Sequence, residues 1–316
     1  MSFAIEGLRV GHAQDEKGLT GCTVVLLPPG SKGGGDVRGG APGTRETDLL
    51  NPVNMVEEAH AFVLAGGSAF GLAATIGVVR YLEEKDIGVD TIVARVPIVP
   101  AGVIFDLGVG DPMSRPDEEM GYRACLDVSE DIARQGNVGV GMGATVGMVL
   151  GHPYCTKSGL GTAYLDRPDG LKIFALVVVN AFGDVIDEAG NIMAGARDPK
   201  GGFLDTEGFL AGAPGFGDTV IPGTNTTLGV IVTNGRLSKT DTNWVAQRGH
   251  NGLACALAPS HTKLDGDLVF AAASGEVETS ADLVGVLGAR LMAQAIRNAA
   301  RAATSIAGIP AHRDLT

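Results

Sequence analysis

A threonine follows an asparagine where a polar turn runs into an apolar stretch, Gly223-Thr224-Asn225-Thr226-Thr227-Leu228-Gly229-Val230-Ile231-Val232-Thr233. A threonine hydroxyl is a poor nucleophile until a base stands beside it. Breaking the Asn225–Thr226 bond would supply one, because a free α-amine titrates at about pH 8, close to the ideal for a base at neutral pH. The same hydroxyl can make the cut. Thr226 Oγ1 attacks the Asn225 carbonyl, an ester forms, and water releases it. A strained turn ahead of a rigid strand favours that rearrangement. The expected products are residues 1–225 and 226–316.

A second signal is Asp265-Gly266-Asp267, at the head of Leu268-Val269-Phe270-Ala271-Ala272. In extended chain, residues i and i+2 face the same side, so the two carboxylates are expected to point together. There they could orient the Thr226 hydroxyl and its ammonium. Asn180 closes the apolar run 171–180, and its side-chain amide could donate to an oxyanion. Each signal alone has a plainer reading. Asn-Thr-Thr is a common turn, Asp-Gly-Asp a solvated one, and a strand-end asparagine a cap.

The elements that must hold these residues are legible in outline. Residues 20–27 read as a strand ended by Pro28-Pro29-Gly30, and 61–65 as a short buried strand. Gly66-Gly67-Ser68 opens a helix to about Glu84, with Leu72, Ile76, Val79 and Leu82 near helical spacing. A helix is expected over 117–134, with acids in its first turn. Strands are expected at 171–180, 226–233 and 267–273, with helices over 241–257 and from Ser280 to Ile306. Trp244 reads as core. Residues 193–224, rich in Gly, Pro and Asp, read as an exposed loop ending just before Thr226.

Five segments carry a resemblance: Asn225-Thr226-Thr227-Leu228, Val232-Thr233-Asn234, His261 to Ala271, Asp36 to Glu46 and Leu64 to Leu72. Together they resemble peptidase family S58, from about Gly7 to Ala273. That family includes L-aminopeptidase/D-amidase-esterases, β-peptidyl aminopeptidases and nylon-oligomer endo-hydrolases. The resemblance implies a four-layer α/β/β/α sandwich of N-terminal-nucleophile type. It would be one domain over 1–316, made of two chains after self-cleavage and assembled as a homo-oligomer. It implies Thr226 as nucleophile after Asn225, Asp265 and Asp267 as the Asp-x-Asp of the threonine branch, and Asn180 as oxyanion donor. Thr227 is a candidate supporting residue. The nylon-oligomer hydrolases carry a lysine, thought to assist proton transfer, where this chain has Met148. Lys157 or Lys263 is left to substitute, or the role is missing.

The implied activity is hydrolysis of small peptide or amide bonds: short peptides with L-, D- or β-residues, or ω-amino acid oligomers such as nylon-6 oligomers. Two other readings stay open. One is an acyltransferase passing an acyl group from Thr226 to an amine. The other is an uncleaved, non-catalytic relative of the fold.

Composition narrows the classes. With 316 residues, 45% hydrophobic, the chain can build a large core, and only 5% aromatics leave that core to aliphatic side chains. A net charge of −12 argues against nucleic acid or an anionic membrane as the main partner. Cys22, Cys125, Cys155 and Cys255 lack zinc spacing and read as buried free thiols. The histidines are scattered, so no metal is expected, nor any cofactor. No signal peptide or membrane-spanning run is evident, and a cytoplasmic protein is the expectation. Gly139-Val140-Gly141-Met142-Gly143-Ala144 matches a dinucleotide fingerprint, but no clear apolar strand precedes it. A backbone amide nest or a cleft loop is the expectation there.

Overall fold

A computed structural model describes residues 5–129, 134–212 and 225–315. The chain begins with strands β1 (Arg9–Asp15), β2 (Thr20–Leu26), β3 (Lys32–Val37), β4 (Thr44–Arg45) and β5 (Ala61–Ala65). Then come helix α1 (Ala74–Glu84), a hairpin of β6 (Val89–Asp90) and β7 (Arg95–Val96), β8 (Ala101–Val103) and helix α2 (Glu118–Leu126). The middle of the chain supplies β9 (Thr145–Val146), β10 (Thr156–Lys157), β11 (Leu160–Asp166), β12 (Lys172–Asn180), β13 (Asp184–Ile186), β14 (Ile192–Ala194) and helix α3 (Thr206–Gly212). The last part is β15 (Thr226–Arg236), α4 (Lys239–Ala254), β16 (Leu257–Ala258), β17 (Leu268–Glu278) and α5 (Ala281–Ala302).

Two five-stranded sheets dominate, ordered β1-β2-β5-β8-β4 and β11-β12-β15-β17-β3. In the second sheet β15 and β17 run parallel with α4 as the crossover, while β12 and β3 flank them antiparallel. The central strands read as unbroken apolar runs because both faces are covered. On one face Leu176, Val178, Val230 and Phe270 meet Phe62 and Leu64 of the first sheet, and the Phe62 and Phe270 rings stack at 4.7 Å. On the other face Val177, Val179, Ile231 and Val269 pack into one cluster with Met292 and Ile296 of α5 and Val245 of α4. The outer face of the first sheet does the same with α1 and α2, through Val24, Val63, Val78 and Ala124. Each such aliphatic side chain stabilises the fold by roughly 1.5–3 kcal/mol on burial. The helix starts are capped. Ser238 and Asp241 form a capping box on α4, and the Ser280 hydroxyl accepts the Leu283 N–H on α5.

Several expectations change. The helix expected over 117–134 ends at Leu126, where Asp127 turns to accept the His12 N–H at 2.9 Å; residues 130–133 lie outside the described ones. The stretch 193–212 is only in part the exposed loop expected: residues 199–202 and most of 207–212 are exposed, but 193–196 and Thr206 are buried. It holds the end of β14 and all of α3, and the buried Asp184 carboxylate stitches it down by accepting Ala196 N, Thr206 N and Thr206 Oγ1 at 2.8–2.9 Å. Residues 213–224, with Gly223 and Thr224, fall outside the described residues. Trp244 is 39% exposed, not core; it lies on α4 beneath the Arg248 guanidinium, and its indole N–H reaches Asp282. Cys255 is exposed, whereas the other three cysteines are buried. Among the described residues no helix is long and apolar enough to cross a membrane.

Candidate active site

Thr226 is the first residue of β15, and the pairing of β12 with β15 sets Asn180 directly opposite it. The Asn225–Thr226 peptide is deeply buried, with Thr226 4% exposed and Asn225 fully covered. The Thr226 hydroxyl donates to the Asn225 carbonyl oxygen. That same oxygen accepts the Gly266 N–H at 2.9 Å, where Asn225 and Asp265 form an isolated parallel bridge. The carbonyl the hydroxyl would attack is therefore already polarised by a fixed backbone donor.

The two aspartates flank this donor just ahead of β17, and both are buried. Asp265 Oδ1 accepts Phe182 N at 3.1 Å, and its Oδ2 meets Thr262 N and Thr262 Oγ1 at 3.1 and 2.5 Å. Asp267 Oδ1 accepts Thr227 N at 2.7 Å, while its Oδ2 meets His261 N at 3.0 Å and His261 Nδ1 at 2.9 Å. Neither carboxylate bonds the Thr226 hydroxyl in the uncut chain. They brace the backbone around it. Burial, reinforced by the Asp267 charge, pushes the Asp265 carboxyl up to about 7.

A strap closes the site. Arg38 N and Gly39 N both donate to Asp267 O, and Ala41 N donates to Asp265 O. A side chain at Gly39 would come within 2.2 Å of Asp267 N, so only glycine lets the strap lie this close. Gly266 is bare for a related reason: a Cβ there would stand 2.6 Å from Thr226 Oγ1.

Asn180 is gripped at both ends of its amide. Its Oδ1 accepts Thr145 N at 3.1 Å, and its Nδ2 donates to Phe105 O at 3.2 Å. Thr145 in turn follows the loop Gly139–Gly143, which is held by Lys157. That side chain is fully buried, and its Nζ donates to the carbonyls of Gly141, Ala144 and Ser158 at 2.9, 2.9 and 2.5 Å. Burial lowers the Lys157 amine to about 7, yet three carbonyl acceptors match the three protons of an ammonium. The fingerprint-like glycine loop is thus neither a strand–turn–helix nor an anion nest. Its carbonyls face the Lys157 amine, a donor and not an anion. Beside it, Asp106 accepts Gly67 N at 2.6 Å and Thr20 Oγ1 at 2.7 Å, fixing the Gly66-Gly67-Ser68 turn next to Phe105. Burial pushes the Asp106 carboxyl up.

The structure therefore brings Thr226, Asn225, Asn180, Asp265 and Asp267 together. Lys157 connects to Asn180 only through the Ala144–Thr145 backbone and bonds no atom of Thr226. Lys263 is exposed. Thr227 is buried with its side chain pointing away from that of Thr226, as alternation along β15 requires. Met148 packs against the small buried cluster of Val149, Phe182, Ala196 and Leu264, and the Thr145 hydroxyl approaches its sulfur at 3.9 Å. Asp106, Thr145, Thr262 and the Gly266 N–H go unnoticed in the sequence. Only the Thr262 adjacency to Asp265 offered a local signal, a hydroxyl three residues before a carboxylate.

Comparison with known proteins gives a consistent result. The family description Peptidase family S58 matches residues 4–313. An uncharacterized aminopeptidase of Mycobacterium leprae is 40% identical over 98% of this chain and 92% of its own. A 6-aminohexanoate-oligomer endohydrolase of a Kocuria species is 33% identical over 88% of this chain and 76% of its own. Among solved structures, the L-aminopeptidase D-Ala-esterase/amidase of Ochrobactrum anthropi, described as a variant of the Ntn-hydrolase fold, superposes with a TM-score of 0.67. It is 17% identical, with 95% of this chain and 85% of that chain covered.

Proposed function

This chain belongs to peptidase family S58 and is a hydrolase of amide bonds, and from that premise we propose that it works as a self-processing N-terminal-threonine amidohydrolase. The two facing sheets with helices on both outer faces are read as the α/β/β/α sandwich of that class, one domain over residues 1–316. The observation that carries the proposal is the Thr226 hydroxyl lying on the Asn225 carbonyl, whose oxygen accepts the Gly266 N–H at 2.9 Å.

In the cut, Thr226 Oγ1 attacks the Asn225 carbonyl carbon. The negative charge that builds on the oxygen falls on the Gly266 N–H. The C–N bond breaks, its nitrogen takes up the proton lost by the hydroxyl, and the acyl group is left on Oγ1 as an ester. The α-amine of Thr226 is now free, and water hydrolyses the ester to give the Asn225 carboxylate and restore the Thr226 hydroxyl. In turnover the same hydroxyl attacks a substrate amide, with the α-amine taking its proton and passing it to the leaving amine; water then hydrolyses the ester on Oγ1, releasing the acid and restoring the hydroxyl. The Asn180 amide, opposite Thr226 and gripped by Thr145 and Phe105, serves as oxyanion donor. Asp267 fixes the peptide after the nucleophile through Thr227 N. Asp265, raised to about 7, holds or releases a proton beside it.

The substrates proposed are short peptides with L-, D- or β-residues, or ω-amino acid oligomers. Met148, Phe182 and Leu264 give one side of the Asp265 surroundings an apolar character, which suits a chain of methylenes. A homo-oligomer of cut units is the proposed assembly. The test is Thr226→Ala. It should leave a folded, intact chain with no turnover of a β-dipeptide or a 6-aminohexanoate oligomer. An active or cleaved Thr226→Ala protein would refute the assignment.

A further inference from the structure

We infer that His261 is the positioning residue of Asp267, clamping one oxygen of that carboxylate so that the other holds the peptide next to the nucleophile. The inference rests on the reading of Thr226 given above. Asp267 Oδ2 receives two donors from the same residue, the His261 backbone N–H at 3.0 Å and the ring Nδ1 at 2.9 Å. For the ring to clamp the carboxylate as a donor, its hydrogen must sit on Nδ1. Asp267 Oδ1 is then turned onto Thr227 N at 2.7 Å, one peptide beyond the attacking hydroxyl.

The ring itself is held. His250 lies edge-on to it, centroids 4.7 Å apart at 68°. The His250 ring is anchored through Nε2 to Asp36 O at 2.9 Å, on the strand that pairs with β17. His261 sits at φ +56°, the left-handed region that costs a residue with a Cβ about 1–2 kcal/mol. Glycine would adopt that backbone at less cost, and asparagine shares histidine's tolerance of it. The imidazole is what the position gains in return.

The two carboxylates meet different partners. Asp267 meets two backbone N–H groups, of Thr227 and His261, and the His261 ring nitrogen. One of the three partners of Asp265 is the Thr262 hydroxyl, which can accept as well as donate. His261 touches no reacting atom, and its effect is transmitted through Asp267.

Two variants that tolerate the left-handed backbone test this. His261→Asn keeps a side-chain N–H near the Nδ1 position, whereas His261→Gly removes it. The readout is the rate at which residues 226–316 appear by denaturing intact mass, with thermal melting followed in parallel. Losing a charge-assisted hydrogen bond should slow His261→Gly about 10- to 100-fold, and His261→Asn should recover most of that loss. Equal rates for His261→Gly and the wild type overturn the inference alone. So does a His261→Asn chain that folds yet cuts no faster than His261→Gly. The tautomer offers a check that does not depend on a variant at this position: in the intact Thr226→Ala chain, nitrogen-15 NMR should show the His261 proton on Nδ1, and a proton on Nε2 overturns the clamp. A wild-type chain that never cuts, or a Thr226→Ala chain that does, overturns the underlying reading and this inference with it.

Discussion

Adding one methyl group between the two aspartates should cripple self-cleavage. In Gly266→Ala the new Cβ would stand 2.6 Å from Thr226 Oγ1 and 2.7 Å from Ala41 O. Ordinary contact begins at about 3.4 Å, so both contacts must open, by roughly 0.8 and 0.7 Å. Ala41 O belongs to the strap, which is tied to this turn by backbone hydrogen bonds from Arg38, Gly39 and Ala41. The threonine side chain, one rotatable bond from its backbone, gives way more easily. Gly266 is absent from the positive-φ glycines, so alanine brings steric displacement without left-handed strain. A displacement approaching 1 Å at a reacting atom costs about 100-fold in rate. Gly266→Ala should therefore cut at about one hundredth of the wild-type rate, measured as the half-time for conversion of the full chain into residues 1–225 and 226–316. Gly212→Ala is the control, since nothing lies within 4 Å of a Cβ at that site, and it should cut like the wild type. A Gly266→Ala chain that folds and matches the control would refute the argument that this glycine clears room for the nucleophile.

Three further outcomes are expected. Asn180→Ala should separate the two reactions. Turnover of an added substrate should fall by about 100- to 1,000-fold with its oxyanion donor gone, while cutting continues because Gly266 N holds the Asn225 oxygen; a chain that fails to cut at all would contradict the split. Lys157→Met should strip the Gly141, Ala144 and Ser158 carbonyls of their partner and lower stability by about 3 kcal/mol or more, read by urea unfolding; an unchanged midpoint would show that the loop stands without it. Asp265 should make stability depend on pH. Its carboxyl is raised from 3.8 to about 7 in the fold, so its contribution is full below about pH 4 and is lost as pH rises through about 7, a change on the order of 4 kcal/mol. Denaturant unfolding of the intact Thr226→Ala chain across that range should show the fall, and adding Asp265→Asn should flatten it; parallel profiles for the two would contradict the assignment.

Much of the frame was readable because β-branched and aliphatic runs leave little choice. Strands β5, β12, β15 and β17 fall within a few residues of their expected places. Thr226, Asp265, Asp267 and Asn180 drew notice by type and spacing, but each alone had a plainer reading, and it was the resemblance to family S58 that made them candidates. What stayed hidden depends on contacts distant in sequence. Nothing local tells that Asp106 would anchor the Gly66-Gly67 turn, or that Lys157 would thread into a glycine loop sixteen positions upstream. The stretch 193–212 looked like loop by composition, yet Asp184 folds it against the body through three hydrogen bonds. Trp244 was expected in the core on hydrophobicity alone, while its helix turns that face outward. Cys255 likewise caps the end of α4 with its side chain exposed.

The central claim is that Thr226 becomes the first residue of a second chain. Denaturing intact mass of the freshly purified protein, with the N-terminus of each species sequenced, tests it most directly. The account predicts two species, residues 1–225 and a shorter one beginning Thr226-Thr227-Leu228. A single chain that stays whole through prolonged incubation, or a break at any other bond, would contradict it.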